Sequence, residues 1–181
     1  NMKFSSVLEK IFRVNVRLAE DVYCAHSGIL ARVSTLRPSS KSEPILFPNA
    51  VDPNEFEPKA ANELRQRFSL PDTDSGFIVG FVGSLKDRHR IKDLVRAVAE
   101  LPEDVYLLIV GDGPERESLE GLVSKLGIES RVRFTGFVEH NRISNYISAC
   151  DAAYGVNDPE NPSNPIKVYE YLACETPVIT T

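Results

Sequence analysis

The sequence predicts an α/β fold, a doubly wound, Rossmann-like parallel sheet, and three features point to it. From Gly76 onward, short runs rich in β-branched and aromatic residues alternate with amphipathic segments, in the order strand, helix, strand, helix. The strand-like runs are apolar without alternation, as expected of strands covered on both faces. Glycine follows directly on the first two of them, at Gly83 and Gly111, where a chain leaving a buried strand has to turn.

The first strand is Phe77–Val82, and the helix after it carries Ile91, Leu94, Val95 and Val98 on one stripe. A second strand, Val105–Val110, leads to a helix with Leu119, Leu122, Val123 and Leu126 that stops at Gly127. Then come a strand over 132–135, a helix over 143–149, a strand over 151–154, a helix from about Pro165 to Cys174 and a last strand over 178–180. In such sheets ligands lie beyond the carboxyl ends of the strands, where the strand order reverses. The loops after Val82, Val110, Thr135 and Tyr154 are therefore the expected functional loops.

Residues before Gly76 follow another plan. A helix-like segment covers 7–18, a short apolar piece lies near Val22, and an amphipathic stretch covers 29–36. A Ser/Pro-rich loop over 38–44 follows, and Pro48, Pro53 and Pro58 then break the chain into an extended connector, so a linker is expected across 37–60. The domain reading is 1–45 and 46–181. Because a central strand normally feeds a covering helix, the strand at the C-terminus carries the expectation that 46–181 is truncated and that parts are missing at both ends.

With 181 residues, 42% of them hydrophobic, the chain has material for one well-packed domain and some extra structure. The formal charge is -5 and no basic run tracks a phosphate backbone, which argues against nucleic acid as a partner. Cys24, Cys150 and Cys174 lack the paired spacing of a zinc site or a disulfide framework and read as buried apolar residues in a reducing compartment. No apolar run approaches the roughly 20 residues of a membrane-spanning helix, and no signal-peptide pattern opens the chain. A soluble, cytoplasmic domain is expected, with peripheral membrane contact through other parts left open.

Three segments carry candidate chemistry. The run Gly83-Ser84-Leu85-Lys86-Asp87-Arg88-His89-Arg90 joins a glycine, which admits a ligand to the backbone, to several basic side chains, and so suits a diphosphate. It also reads as a solvated turn, and it has neither the ending of a P-loop nor the glycine triplet of a dinucleotide fingerprint. Gly111-Asp112-Gly113-Pro114 reads mainly as a turn, because Glu115 and Glu117 in the next helix's first turn oppose phosphate binding. In the third segment Ser163 or Asn164 can cap a helix with Pro165 in its first turn, aiming free N–H groups at the crevice. Lys167 and Glu170, three apart, then offer a cation for phosphate and a carboxylate for a vicinal diol, or else form a plain surface ion pair. Asp72-Thr73-Asp74 is formally an Asp-x-Asp, but it precedes a strand beside Pro71 and Gly76 and reads as a turn. His26 and His140 have no sequence-near ligand partners, so no metal is expected. Asp112 and Asp151 at strand ends suggest a phospho-accepting receiver, which the basic loop after Val82 contradicts.

Residues 81–89, 109–114, 132–138 and 167–179, with the connector Pro48-Asn49-Ala50-Val51-Asp52 followed by Phe56 and Pro58, occur in the order and spacing of the group-one glycosyltransferases, family four of the GT-B fold. The chain resembles that family over nearly its whole length. The resemblance implies that residues 1–45 are the last elements of an acceptor-side domain and that 46–181 is the nucleotide-sugar (donor) binding domain. It further implies Lys86 and Lys167 as the catalytic cations, with Gly83, Ser84 and His89 at the donor diphosphate. The backbone at Phe137 and Val138 would read the base, the helix start at Asn164, Pro165 and Ile166 would face phosphate and sugar, and Glu170 would hold the ribose hydroxyls.

By the same resemblance the activity is transfer of a hexose, with retention, from a UDP- or GDP-sugar to a glycan or lipid-linked acceptor. The donor is a substrate, no cofactor or metal is needed, and this chain alone is expected to be inactive. Three departures stand out. The family's Arg and Lys phosphate clamp reads as Ser84 and His89, although a Gly-Ser-Leu-Lys variant with a following His also resembles the family, with Lys86 as a compensating charge; the first of its paired glutamates is Pro162, leaving Glu170, with Asp158 and Glu160 as substitutes; and Arg90 stands where glycine is usual. The Pro-x-Lys-x-x-Glu-Tyr pattern at 165–171 resembles a subgroup associated with cell-surface polysaccharide and glycolipid assembly. The alternative is a non-catalytic nucleotide-sugar-binding or partner-binding module of the same fold. A dinucleotide-dependent oxidoreductase fits the fold but not the loop after Val82.

Overall fold

The computed structural model describes residues 2–156 and 165–180. They divide into two compact units, one running to Asn49 and one beginning at Ala50. The first holds α1 (Met2–Leu18), β1 (Tyr23–Cys24), α2 (Ser27–Leu36) and β2 (Ile45–Leu46) around the buried side chains of Val16, Cys24 and Val33. Arg37, just past α2, donates to the carbonyl oxygens of Val16 at 3.0 Å and Ala19 at 3.3 Å and to Ser42 Oγ at 2.9 Å. A guanidinium thus satisfies the free carbonyls at the C-terminal end of α1. β2 pairs in parallel with β1, Tyr23 opposite Ile45 and Cys24 opposite Leu46, so the hydrogen-bonded unit extends past residue 45 into the expected linker. A two-residue strand framed by Pro44 and Pro48 has no periodicity to read.

In the second unit the proline-rich connector is seated rather than free. The Asp52 carbonyl accepts from the N–H groups of Glu55 at 3.1 Å and Phe56 at 3.0 Å, and the Phe56 side chain is buried in the core. A short helix unforeseen in the sequence, α3 (Asn62–Arg67), follows. The five expected strands are β3 (Phe77–Val82), β4 (Val105–Val110), β5 (Val132–Gly136), β6 (Ala152–Tyr154) and β7 (Val178–Ile179). They form one parallel sheet in the order β5-β4-β3-β6-β7. The crossover helices are α4 (Ile91–Glu100), α5 (Arg116–Leu126), α6 (Ile143–Ser148) and α7 (Ile166–Ala173), with single-turn 3-10 helices η1 (Asp87–His89) and η2 (His140–Arg142) in the loops after β3 and β5.

Strand alternation sorts the core into two layers. Val79, Phe81, Leu107 and Ile109 face the stripe Ile91, Leu94, Val95 and Val98 of α4 together with Leu119 and Val123 of α5. Ile78, Val82, Leu108 and Val110 face Tyr146 and Ile147 of α6 and Tyr171 of α7. Both faces of β3 are therefore covered, which is why its sequence shows no polar alternation. α5 ends at Gly127, whose φ of 68° is the left-handed C-cap expected there.

The start of β6 is pinned by charge. Buried Arg65 of α3 donates to Asp151 Oδ1 at 2.8 Å and to the Ala149 carbonyl at 3.1 Å, and Asp151 Oδ2 accepts the Ile78 N–H at 2.7 Å. Asp151 thus ties the central strand to the helix after the connector, a structural role. Replacing it with alanine would leave the guanidinium unpaired in the interior and is expected to cost about 3–5 kcal/mol, read as a lower denaturant midpoint at unchanged slope.

Candidate functional site

The sheet order reverses between β3 and β6, and the two strands pair only through Val79 with Ala152 and Gly80 with Ala153. Beyond that point Val82 would present its N–H and C=O to an open crevice. Tyr171 of α7 supplies both partners: its buried hydroxyl accepts from Val82 N at 3.0 Å and donates to Val82 O at 3.2 Å. Lys167 lies four residues earlier on the same helix, so the anchored tyrosine sets the lysine against the next residue of the β3 exit, Gly83.

Gly83 has φ 144°, and a Cβ on it would come within 2.9 Å of Lys167 Nζ, so the bare backbone makes room for the ammonium. The loops after β3 and β4 are laced together: Gly83 N donates to Val110 O at 2.9 Å, Leu85 N to Asp112 O at 3.0 Å and Glu115 N to Leu85 O at 3.1 Å. At Gly111, φ 125°, a Cβ would stand 2.1 Å from the Gly83 carbonyl oxygen. The glycines after β4 thus serve close loop packing, and Glu115 at the entry to α5 is ion-paired with Lys92. Both facts favour the structural reading of that segment.

Lys167 is half-buried, its Nζ 4.3 Å from the centroid of the fully buried Phe81 ring. Among the described residues neither Lys167 nor Glu170 takes part in an ion pair, so the surface-pair alternative does not hold. Burial pushes the Lys167 ammonium down to about 8, against an upward pull from the Glu170 charge and with a further push from Arg88. Burial also holds the Glu170 carboxyl above its ordinary range, opposed by His140 and Lys167. His89, half-buried and 5.8 Å from the Phe81 ring, is pushed down to about 4 by burial and then by Lys167, Arg88 and Lys86.

Other predicted residues fall elsewhere around the crevice. Gly83, Ser84, Asp112, Phe137, Val138 and Ile143 line an apolar cleft of about 240 Å³ at the strand ends, with Phe137 75% exposed. Lys86 is exposed and borders a separate small recess with Arg90, Lys92 and Glu115, so the two lysines do not line one pocket. Pro165 is the N-cap of α7, without a side-chain cap, and Ile166 is its first helical residue, one place later than the sequence reading. Asn164, Ser163, Pro162, Glu160 and Asp158 lie outside the described residues. Among the described residues no group of three or more His, Cys, Asp or Glu is placed to hold a metal ion, and Asp72 forms a turn through its carbonyl to Ser75 N. No helix among them is long and apolar enough to cross a membrane.

The family model for glycosyl transferases group 1 matches residues 62–181. The chain belongs to that family. The glycosyltransferase chain is 38% identical over 111 residues to a 2-deoxystreptamine glucosyltransferase of Streptomyces kanamyceticus, covering 59% of this chain and 28% of that protein. It is 41% identical over 96 residues to the lipopolysaccharide core biosynthesis glycosyltransferase LpsD of Rhizobium meliloti (strain 1021), covering 53% and 27% respectively. The matched segment thus spans under a third of either relative. Among solved structures it resembles Anabaena HepE in complex with UDP and glucose, with a TM-score of 0.78 at 23% identity, over 96% of this chain and 47% of that one. Sucrose-phosphate synthase from Thermosynechococcus elongatus gives 0.77 at 27% identity over 94% and 43%. The fold is that of the GT-B glycosyltransferases.

The position where this glycosyltransferase departs from the family's glycine has a local cost. Arg90 adopts φ 50°, ψ 33°, a left-handed conformation that disfavours any residue with a Cβ, and its side chain pairs with Asp93 at 2.9 Å on the surface. It does not enter the crevice lining around Phe137. Arg90→Gly is expected to raise stability by about 0.5–1 kcal/mol, a rise of a few degrees in thermal melting, without weakening ligand binding.

Proposed function

We propose that this chain is the donor-binding part of a hexosyltransferase that moves a sugar, with retention, from a nucleoside diphosphate sugar to a glycan or lipid-linked acceptor, working in the cytoplasm, with membrane contact made through other parts of the protein. The observation that carries the reading is the half-buried Lys167 ammonium, set against the bare backbone of Gly83 at the reversal point of the sheet with no carboxylate ion-paired to it among the described residues. A partly desolvated cation of this kind is stabilised by an incoming anion, and at this end of a doubly wound sheet the anion expected is a phosphate.

In this reading the donor diphosphate lies between Gly83 and the first turn of α7. As the glycosidic bond breaks, negative charge grows on the leaving diphosphate, and Lys167 with the positive N-terminal end of α7 stabilises it in place, the work a metal does elsewhere. Exposed Lys86 adds charge at longer range. Glu170 is three residues along the same helix and accepts from the vicinal hydroxyls of the ribose. The base enters the apolar cleft at Phe137 and Val138, read through their backbone groups. Solved relatives that hold UDP, or UDP-glucose, make a UDP-sugar the first donor to test.

Calorimetric titration of the full-length protein with UDP, GDP and ADP is expected to give selective binding that Glu170→Ala weakens. Lys167→Ala should lower the transfer rate at least about tenfold, roughly 1.4 kcal/mol of transition-state stabilisation, with a smaller loss for Lys86→Ala. Near-wild-type turnover in Lys167→Ala would sink the mechanism. Donor affinity without transfer by the wild-type protein would instead identify a non-catalytic binding module.

A further inference from the structure

One wall of the apolar cleft is carried by a single segment that runs from Phe137 through η2 to the end of α6, and the connector fastens that segment at two places. Phe137, Val138 and Ile143 of the segment line the cleft. Between them the His140 ring meets the Phe56 ring edge to face, centroids 5.5 Å apart at 69°, and His140 Nε2 lies 3.8 Å from Glu55 Oε2. At the end of α6, Ser148 Oγ accepts the Lys59 N–H at 3.0 Å. Phe56 is buried in the core cluster that holds Tyr146 and Ile147 of α6, and Val138 and Ile143 pack against that cluster. The turn that carries Phe56 is itself closed. The Asp52 carbonyl accepts from the N–H groups of Glu55 and Phe56, and Asp52 Oδ1 accepts the Asn54 N–H at 2.8 Å. A ring held by a closed turn in the connector therefore backs two residues of the cleft wall.

We infer that Phe56 and His140 are positioning residues for the nucleoside, through which a filled cleft steadies the connector and a loosened connector weakens nucleotide binding. The inference rests on the donor site proposed above and adds to it two residues that do not themselves line the cleft. A close-packed interior moves between discrete arrangements rather than deforming smoothly, so unseating Phe56 withdraws support from η2 and from Val138 and Ile143 together. A base packed on Val138 and Ile143 favours the arrangement in which Phe56 is seated. Such coupling is reciprocal: the factor by which an unseated connector weakens nucleotide binding equals the factor by which bound nucleotide opposes unseating. Pyrophosphate carries the anion without a base, leaves the cleft empty, and has no such effect on the connector.

Hydrogen exchange of the full-length protein, followed by mass spectrometry on the peptide that carries the Glu55 and Phe56 amides, reads the coupling from the connector side. The free protein is compared with protein saturated by UDP, GDP or ADP, and by inorganic pyrophosphate. The tightest-binding nucleotide is expected to slow exchange of those amides about tenfold, and pyrophosphate to leave it unchanged. His140→Ala, a change at an exposed ring, should melt like wild type and bind pyrophosphate equally well, yet bind the nucleotide about fivefold more weakly and lose most of the protection. Phe56→Leu, which keeps an apolar side chain in the seat, should shift nucleotide affinity and protection the same way. Exchange unaltered by bound nucleotide, equal protection by pyrophosphate, or nucleotide and pyrophosphate affinities in His140→Ala that are both unchanged or equally weakened overturns the inference. The donor site itself stands in those cases if Lys167→Ala weakens nucleotide binding. Failure of the wild-type protein to bind any of the three nucleotides overturns both.

Discussion

The hydroxyl of Tyr171 on the backbone of Val82 is the constraint from which the rest of the site follows. β3 and β6 have to part for a crevice to exist at the reversal of strand order, and parting exposes β3's amide and carbonyl to an unpaired interior. A tyrosine on the crossover helix closes both groups without closing the crevice. Because helix geometry puts residues four apart on one face, the same anchor fixes Lys167 at Gly83 and over Phe81. One hydrogen-bonded side chain therefore sets a cation beside a gap in the sheet.

The surrounding elements hold that gap in place. Arg65 and Asp151 fix the start of β6 from the far end, and the loops after β3 and β4 are joined by backbone hydrogen bonds at a separation that only glycine at Gly111 permits. Among the described residues, Lys167 is partly desolvated with a ring face and the Glu170 carboxylate to favour its charge. Charge placed in this way costs stability and is recovered when an anion arrives, which links the packing of the second unit to its proposed binding chemistry.

The sheet was legible in the sequence because periodicity is a local property. The unbroken apolar run of β3, the α4 stripe of Ile91, Leu94, Val95 and Val98, and the stop at Gly127 all follow from neighbours within a few residues. The elements that escaped were those without a local pattern: the two-residue β2, and α3, whose Arg65 finds Asp151 far along the chain. At the site, Lys167, Glu170 and His89 were visible as residue types of the right chemistry. Their grouping was not, nor was the separation of Lys86 into another recess, since side-chain direction across a turn depends on packing.

Sequence alone determined the fold class, the order of its strands along the chain, the family resemblance and the loops where function would be sought, because each rests on spacing along the chain. Tertiary structure decided that Tyr171 anchors α7 to β3, that Lys167 is half-buried without an ion-pair partner among the described residues, and that His89 shares the Phe81 ring with it. Burial and the charges of neighbours from distant segments set the state of an ionisable group, and those exist only once the chain has folded.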